Sequence, residues 1–226
     1  MGLFALNPYT IFARIIVLFT SMPVHECAHG WVAHKLGDDT AYYQGRIDLN
    51  PLAHLDPIGS LLLVFTGFGW ARPVPVQPRN FNRKITMRGG MALTSFAGPA
   101  ANVLLALVLM VLLKLVALGA FVSGGLNVPV QIIFQILSMM VSINVSLAVF
   151  NLLPIPPLDG YNILSYFLPP KWEYKIAQYR QYIFYGLLAV MLFTNLLSYP
   201  LMWLASWIYR LLDFMTGWID LLGNLL

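Results

Sequence analysis

The chain has 226 residues, of which 59% are hydrophobic and only 10% are charged. Soluble domains carry about 25% charged residues, so the composition excludes an ordinary soluble protein and indicates an integral membrane protein. The formal net charge of +4 does not predict a nucleic-acid partner, because the basic residues cluster in short loops, where they set orientation in a membrane. The single cysteine, Cys27, excludes an intrachain disulfide.

Four stretches reach the length of about 20 apolar residues that a membrane-spanning helix needs: 10–35, 91–118, 129–153 and 181–209. The fourth is long enough to break near Pro200 into two helices, and a terminal run at 214–226 is expected to lie in the membrane interface. We therefore predict an all-α, multi-pass membrane protein with four to six transmembrane helices. Residues 1–226 should form one domain, with the core motifs within 10–165 and C-terminal helices over 181–226.

The segment between the first two spans is predicted to differ from its surroundings. Residues 37–56 place Tyr, Ile and Leu around a Gln-Gly pair, which indicates a small β-hairpin. Residues 57–70 are apolar but too short to span, so we expect a re-entrant or interfacial segment. The prolines that follow require an extended backbone at 71–84. Such backbone is tolerated near a membrane only where it is buried in protein or reaches water.

The distribution of basic residues predicts the orientation. Five lie within 71–90, whereas 119–128 has no charged residue. The positive-inside rule therefore places 71–90 in the cytoplasm and 119–128 on the opposite side of the membrane.

The first span carries three ionisable residues, His25, Glu26 and His29, in the sequence HECAH. Residues four apart on an α-helix differ by about 40° around its axis, so both imidazoles face one point with the glutamate beside it. In this H-E-x-x-H pattern the histidines bind zinc and the glutamate is a general base. Isolated matches occur by chance. Ionisable groups inside a span, however, cost about 2.5–3.5 kcal/mol each and need a compensating partner.

A catalytic zinc needs a third protein ligand and an open fourth position. His34 lies nine residues after His25, about 180° around the helix, so we assign it to the membrane interface. Asp159 is the better candidate, because the prolines before it interrupt the helix and its expected depth matches that of the two histidines. An Asp-Gly pair after prolines is also compatible with a simple turn.

Three motifs together resemble the site-2 protease family of intramembrane zinc metalloproteases: HECAH at 25–29, GPAAN at 98–102 and NLLPIPPLDG at 151–160. The segment 69–81 is similar to the membrane-associated loop of short prokaryotic members that lack a PDZ domain. The resemblance implies a zinc metalloendopeptidase that cleaves within or near transmembrane segments of other membrane proteins, in regulated intramembrane proteolysis.

The resemblance also implies the roles of individual residues. His25, His29 and Asp159 would bind one Zn²⁺ per chain, and Glu26 would be the base and proton shuttle. Asn151 would polarise the scissile carbonyl or stabilise the oxyanion, although a hydrogen bond between helices is an equal alternative.

Other polar residues near the motifs receive structural interpretations. Asn102 and Asn144 are expected to form hydrogen bonds between helices, and Gly98 should allow close packing against the helix that carries the histidines. His54 is expected to be a solvated loop residue. The alternative is a temporary fourth ligand to the metal, which would be an autoinhibitory contact.

The expected partners are a transmembrane protein substrate, membrane lipid and a regulatory membrane protein, and the oligomeric state is not predicted. Extended backbone at 41–50 or 73–76 is expected to pair with an unwound substrate. The expected location is a prokaryotic cell membrane, with the active site toward the cytoplasm. The alternatives are a metal transporter, which does not need Glu26 as a base, and a catalytically silent relative.

Overall fold

The computed structural model describes residues 8–66, 69–125 and 127–223. Within these ranges the regular elements are helical and no β-strand is formed. The α-helices of the described ranges are, in chain order, α1 (Pro8–Lys35), α2 (Thr40–Tyr43), α3 (Pro57–Thr66), α4 (Met87–Val122), α5 (Val128–Asn151), α6 (Asp159–Phe167), α7 (Pro170–Gln178), α8 (Arg180–Phe193) and α9 (Ser198–Gly223).

Three helices in the described part of the chain, α1, α4 and α5, are long and apolar enough to cross a membrane. Their 28, 36 and 24 residues exceed the length of about 20 that a hydrocarbon core requires. They correspond to the first three predicted spans. The prediction of an all-helical chain with several candidate spans is therefore confirmed.

The predicted count of four to six spans is not confirmed. The stretch 181–209 divides between α8, which has only 14 residues, and α9, which carries Arg210, Asp213 and Asp220. A spanning helix tolerates few charged residues, and α9, although long enough, is not among the helices that are apolar enough to cross a membrane. The terminal run forms no separate interfacial helix within the described residues, because 214–223 continue α9 and 224–226 lie outside the described ranges.

Helix α4 is the centre of the packing and contacts α1, α5, α6 and α9. One apolar cluster joins α1, α4, α5 and α9 through their buried side chains: Val17, Ala106, Leu109, Met140, Val141, Val145, Val149 and Leu212. Lys114 of α4 lies 2.7 Å from Asp213 and 2.5 Å from Asp220, which pairs the acidic residues of α9 with a cation. The candidate spans are thus fixed against one another around α4.

The predicted β-hairpin within 37–56 is wrong. Thr40–Tyr43 form one helical turn, and the carboxylate of Asp38 accepts hydrogen bonds from the N–H and hydroxyl of Thr40 at its start. Tyr42 and Tyr43 are both exposed, whereas a half-buried strand would bury one of two neighbours. The alternation of apolar residues that suggested a strand reflects instead a short turn that packs on α1.

Helix α3 is too short to span a membrane, as predicted for this region. Its Leu63 is buried with Leu18 and Met22 of α1. Near the end of α3 the carbonyl of Val64 accepts a hydrogen bond from the Arg14 side chain of α1 at 2.9 Å. A short helix therefore lies against the first candidate span.

Residues 69–77, here called the return segment, follow without helical structure, as their prolines predict. Two backbone N–H groups attach this segment to α1 and to the turn after it. Val74 donates to Glu26 at 2.9 Å, and Gln77 donates to Asp38. The return segment is thereby held alongside the His-Glu motif.

Candidate metal centre

Helix α1 brings His25 and His29 to one point, as their four-residue spacing predicts. Their Nε2 atoms lie 3.0 Å apart. The two rings meet edge to face, with centroids 4.6 Å apart. Both histidines are buried, so their nitrogen atoms are shielded from bulk solvent.

Asp159 completes a converging set. Its Oδ2 lies 3.2 Å from His25 Nε2 and 3.4 Å from His29 Nε2. Among the described residues, this is the one group of three or more potential ligands whose donor atoms all lie within 4.8 Å of one another. The carboxylate therefore faces the two histidines and is not simply part of a solvent-exposed turn.

The connection between α5 and α6 places Asp159 as the first residue of α6. The prolines of the connection end α5 at Asn151. A Cβ at position 160 would lie 2.1 Å from the carbonyl oxygen of Leu152. Only glycine thus lets α6 begin directly against the chain that leaves α5.

The Nδ1 atoms of both histidines face hydrogen-bond acceptors. His29 Nδ1 lies 2.7 Å from the carbonyl oxygen of Thr94, which can only accept, so this nitrogen carries the proton. His25 Nδ1 lies 2.5 Å from Asn102 Oδ1.

A chain of hydrogen bonds fixes the orientation of the Asn102 amide. The carbonyl oxygen of Met140 accepts from Asn144 Nδ2 at 2.9 Å, and Asn144 Oδ1 then accepts from Asn102 Nδ2 at 3.0 Å. Asn102 Oδ1 is left to accept the proton of His25 Nδ1. These two buried asparagines, here called the asparagine relay, assign the free lone pair of His25 to Nε2.

These donor atoms fit a zinc ion. Tetrahedral zinc with bonds of about 2.0–2.1 Å holds its ligand atoms about 3.3–3.4 Å apart, and the three separations here are 3.0, 3.2 and 3.4 Å. Two imidazole lone pairs and a carboxylate oxygen at such distances repel one another unless a cation balances them. Three protein ligands also leave the fourth tetrahedral position open, as in catalytic zinc sites.

Gly98 allows α4 to approach the two imidazoles. A Cβ at this position would lie 2.4 Å from His29 Nε2 and 2.6 Å from His25 Cε1. Real atoms do not approach this closely, so any side chain would push α4 away from the histidines. The predicted close packing at Gly98 is confirmed. The atoms that Gly98 approaches belong to the metal-ligand candidates His25 and His29.

Glu26 lies beside the donor set and lines the same cavity as the histidines. Its Oε2 accepts a hydrogen bond from the N–H of Val74 at 2.9 Å. The carboxylate is not one of the three converging ligands. This placement fits a base better than it fits a ligand.

A cavity of about 970 Å³ opens onto the donor set. Its walls come from α1, α3, the return segment, α4, α5, α6, α8 and α9. Many of the lining residues are apolar, including Val17, Leu63, Val149, Leu187, Met191 and Leu201. Trp70 of the return segment meets Phe184 of α8 edge to face at 6.1 Å. The volume lies near the upper end of the range of about 300–1,000 Å³ that is typical of ligand sites.

Comparisons with known proteins identify the family. Residues 122–194 match the model described as "Peptidase family M50". "Putative zinc metalloprotease YwhC" of Bacillus subtilis is 44% identical over 203 residues, which cover 87% of this chain and 85% of that protein. The chain belongs to peptidase family M50, the site-2 protease family.

More distant relatives agree with this membership of family M50. "Putative zinc metalloprotease Rip2" of Mycolicibacterium smegmatis is 30% identical over 202 residues, which cover 86% of this chain and 70% of the relative. The protein of the same name from Mycobacterium tuberculosis strain H37Rv is 27% identical over 207 residues, which cover 90% and 74%. No solved structure matches the chain.

In this M50 member, Asn151 is the last residue of α5 and lines the cavity. Its Nδ2 donates to the carbonyl oxygen of Leu147 at 3.0 Å, one turn earlier in the same helix. The described contacts thus give this side chain a bond within α5 and none to another helix. Its catalytic role stays a prediction.

The other histidines lie away from the donor set. His34 Nδ1 pairs with Asp39 at 2.5 Å, and its ring stacks on Tyr42. His54 is only 1% exposed, and its Nε2 donates to the carbonyl of Asp48 at 2.7 Å. The expectation of a solvated His54 is wrong, because the loop folds over the ring. Its inhibitory role stays a hypothesis, since His54 does not belong to the converging group.

The sequence motifs predict hydrogen bonds between helices for Asn102 and Asn144 without linking them to the metal ligands, and they do not mark Thr94 as a site residue. A signal was available in α4. Thr94, Gly98 and Asn102 are spaced four apart, so they form one stripe on the helix. Because the glycine in this stripe was expected to face α1, its polar neighbours should have been expected to meet the histidines.

Proposed function

We propose that this M50 member is an intramembrane zinc metalloprotease that hydrolyses peptide bonds within or near transmembrane segments of other membrane proteins. One Zn²⁺ per chain would be held by His25, His29 and Asp159. The observation that carries the proposal is the convergence of these three donor atoms beside Glu26. The naming of relatives as zinc metalloproteases supports it.

The two histidines are prepared to act as ligands before any metal arrives. Thr94 and the asparagine relay accept the Nδ1 protons, so in each neutral imidazole the lone pair lies on Nε2. Such partners orient a ligating imidazole and raise its basicity. The rings therefore need little reorientation on binding, and any proton carried by an Nε2 atom leaves as the metal binds.

Glu26 is proposed as the general base and proton shuttle. Zinc, when bound, polarises the scissile carbonyl and lowers the pKa of a coordinated water to about 7. Glu26 takes a proton from the attacking water and later delivers it to the leaving amine. Because the N–H of Val74 is bonded to Oε2, the proton is expected at Oε1.

Asn151 is proposed to stabilise the oxyanion of the tetrahedral intermediate. Its amide has two N–H donors, and the described bond to Leu147 uses one of them. The other is available to a carbonyl oxygen in the cavity that Asn151 lines. One such donor typically contributes about 10²–10³-fold to the rate.

A substrate helix hides its amides in hydrogen bonds and has to unwind before cleavage. The return segment is the proposed partner of the unwound chain. Pro73 and Pro75 have no N–H, and the N–H of Val74 is already bonded to Glu26. Within residues 73–76 the segment therefore offers carbonyl groups and the N–H of Val76. The segment 41–50 is no longer a candidate, because Thr40–Tyr43 form a helical turn and no strand forms within 41–50.

The proposed location is a prokaryotic cell membrane, with the site toward the cytoplasm. His25 and His29 lie in the C-terminal half of α1, and the basic loop at 71–90 follows on the same side of the candidate spans. That arrangement supports the orientation by the positive-inside rule. A regulatory membrane protein and the surrounding lipid are proposed as further partners.

The test measures zinc content and cleavage of a transmembrane reporter peptide by the purified protein, its Glu26→Gln variant and a Cys27→Ala control. We expect one zinc per chain in all three. Cleavage should fall by about 10²–10⁴-fold in Glu26→Gln and persist in Cys27→Ala. Equal cleavage by wild type and Glu26→Gln would remove Glu26 from the chemistry. Wild-type protein without zinc would contradict the proposal as a whole.

A further inference from the structure

Arg14 lies on α1 at the opposite end of the cavity from the metal ligands. It precedes His25 by eleven residues, so the two positions differ by about 20° around the helix and by about 16–17 Å along it. Both side chains line the cavity of about 970 Å³. A single face of α1 thus presents the ligands at one place and a permanent cation three turns away.

The charges that line the cavity are distributed unevenly. Its carboxylates, Glu26 and Asp159, both lie at the donor set, and its arginines are Arg14 on α1 and Arg180 at the start of α8. Within the described residues, no carboxylate lies within ion-pair distance of the Arg14 guanidinium. Its neighbours one turn away on the same face of α1, Thr10 and Val17, line the cavity too and carry no charge. The cation therefore faces the cavity without a counter-charge from the described part of the chain.

A purely structural role would leave this charge unexplained. Arg14 donates from Nη1 to the carbonyl oxygen of Val64 at 2.9 Å, in the last turn of α3. Carbonyl groups at the end of a helix have no partner within it, so this bond caps α3. Capping uses one of five N–H donors and needs no charge. Inside a membrane such a cation pairs with another charge, with backbone carbonyls or with water in a cavity, and a carboxylate in the cavity would be the strongest partner for its remaining donors.

We propose that Arg14 is a specificity-determining residue that binds a carboxylate side chain of the transmembrane substrate lying in the cavity. This inference rests on the proposed protease function. The separation of about 16–17 Å corresponds to about five residues of extended chain or eleven of helix. The preferred substrate thus carries Asp or Glu five to eleven residues from the scissile bond. A lipid phosphate is the weaker candidate, because Arg14 shares one cavity with the metal ligands.

The experiment uses a series of reporter peptides in detergent, each with a single Glu four to twelve residues from the scissile bond on either side. The matched peptides carry Gln at the same position. Because hydrogen bonds to charged groups are among the stronger ones, wild type should cut the Glu peptide about 10-fold faster or more at the preferred position. Arg14→Gln, which keeps a donor for Val64, should cut both peptides equally. Arg14→Lys should retain part of the preference.

A charge exchange adds an independent check. Arg14→Glu should prefer a peptide with Lys at the position where wild type prefers Glu. The ratio of the two rates responds to charge recognition, whereas a loss of capping alone slows both peptides by the same factor.

Three results would overturn the inference. The first is equal cleavage of Glu and Gln peptides by wild type at every position, and the second is an Arg14→Gln variant that keeps the wild-type ratio. Equal stimulation of both peptides by phosphatidylglycerol that depends on Arg14 would assign the cation to lipid. Each of these would leave the proposed protease function intact. If wild type cleaved no peptide at all, the proposed function would fail and the inference with it.

Discussion

The metal ligands and the proposed base are held in different ways. His25 and His29 each donate a hydrogen bond from Nδ1 to a polar group on a packed helix. The acceptors are the asparagine relay for His25 and the carbonyl oxygen of Thr94 for His29. Glu26 is instead held by one backbone N–H of the return segment, which has no regular structure. The difference indicates that metal binding depends on the helix core, whereas proton transfer depends on an irregular segment. The two properties should therefore respond to different substitutions.

Among substitutions that affect metal binding, Gly98→Ala is expected to have the largest effect. The new Cβ would lie 2.4 Å from His29 Nε2, so α4 would have to move away from the ligands. Zinc content and reporter cleavage should both fall, by more than the 10–100-fold typical of losing a hydrogen bond to a metal ligand. Gly119→Ala is the control, because position 119 lies in the same helix with open space around it. A Gly98→Ala protein with full zinc would contradict the close approach.

The asparagine relay predicts a smaller, graded effect. Asn102→Leu removes the acceptor for His25 Nδ1, and zinc affinity measured by competition with a chelator should fall by about 10–100-fold. Asn144→Leu acts through Asn102 and should weaken binding less. The double variant should resemble Asn102→Leu, because both residues belong to one chain of bonds. Additive losses would show that the two residues act independently.

The proposed base, Glu26, is tested by Val74→Pro, which removes the N–H that is bonded to it. Because a hydrogen bond to a charged group contributes about 1.5–3 kcal/mol, kcat should fall by about 10-fold or more, with zinc content unchanged. Val74→Ala keeps the N–H and should retain more activity. If Val74→Pro also lost zinc, metal binding and proton transfer would not depend on different parts of the structure.

The smallest effect concerns Asp38, which ties the end of α1 to the return segment. Burial alone would raise the pKa of Asp38, but hydrogen bonds from Gln77 N–H, the Thr40 hydroxyl and the Asn80 amide lower it below its ordinary value. Its contribution to the free energy of unfolding is therefore fully present above about pH 4 and is lost as the pH falls through the lowered folded-state pKa.

Asp38→Asn should reduce the free energy of unfolding by about 1–2 kcal/mol near neutral pH. The difference from wild type should shrink in acid, below about pH 4. Denaturant unfolding at neutral and acidic pH would measure both values. A difference that does not change with pH would show that the ionised carboxylate is not the stabilising form.

The sequence predicted the parts of the structure that follow local periodicity. The long apolar runs gave the three candidate spans, and the four-residue spacing of His25 and His29 gave their common face. Asp159 was found because proline interruptions in an apolar stretch are costly and need a reason. The spans and the common face of the histidines depend on residues that are close in the chain, and Asp159 was joined to the histidines by its expected depth in the membrane.

The errors concern contacts between distant residues. The fold of Thr40–Tyr43 depends on Asp38 and on packing against α1, and neither is visible as periodicity. His54 was expected in solvent, yet the loop that covers it is set by tertiary contacts such as the bond between its carbonyl and Arg72 N–H. The asparagine relay joins α4 to α5, so its link to His25 becomes visible only once the packing of the two helices is known.

The most direct test of the central claim is X-ray absorption at the zinc edge of the purified protein, with Asp159→Asn as the matched variant. We expect nitrogen and oxygen ligands at about 2.0–2.1 Å, including two imidazoles, and weakened zinc retention in Asp159→Asn. Cys27 is the single sulfur ligand of thiol type that the chain offers. A sulfur ligand at about 2.3 Å, or unchanged zinc in Asp159→Asn, would contradict a centre built from His25, His29 and Asp159.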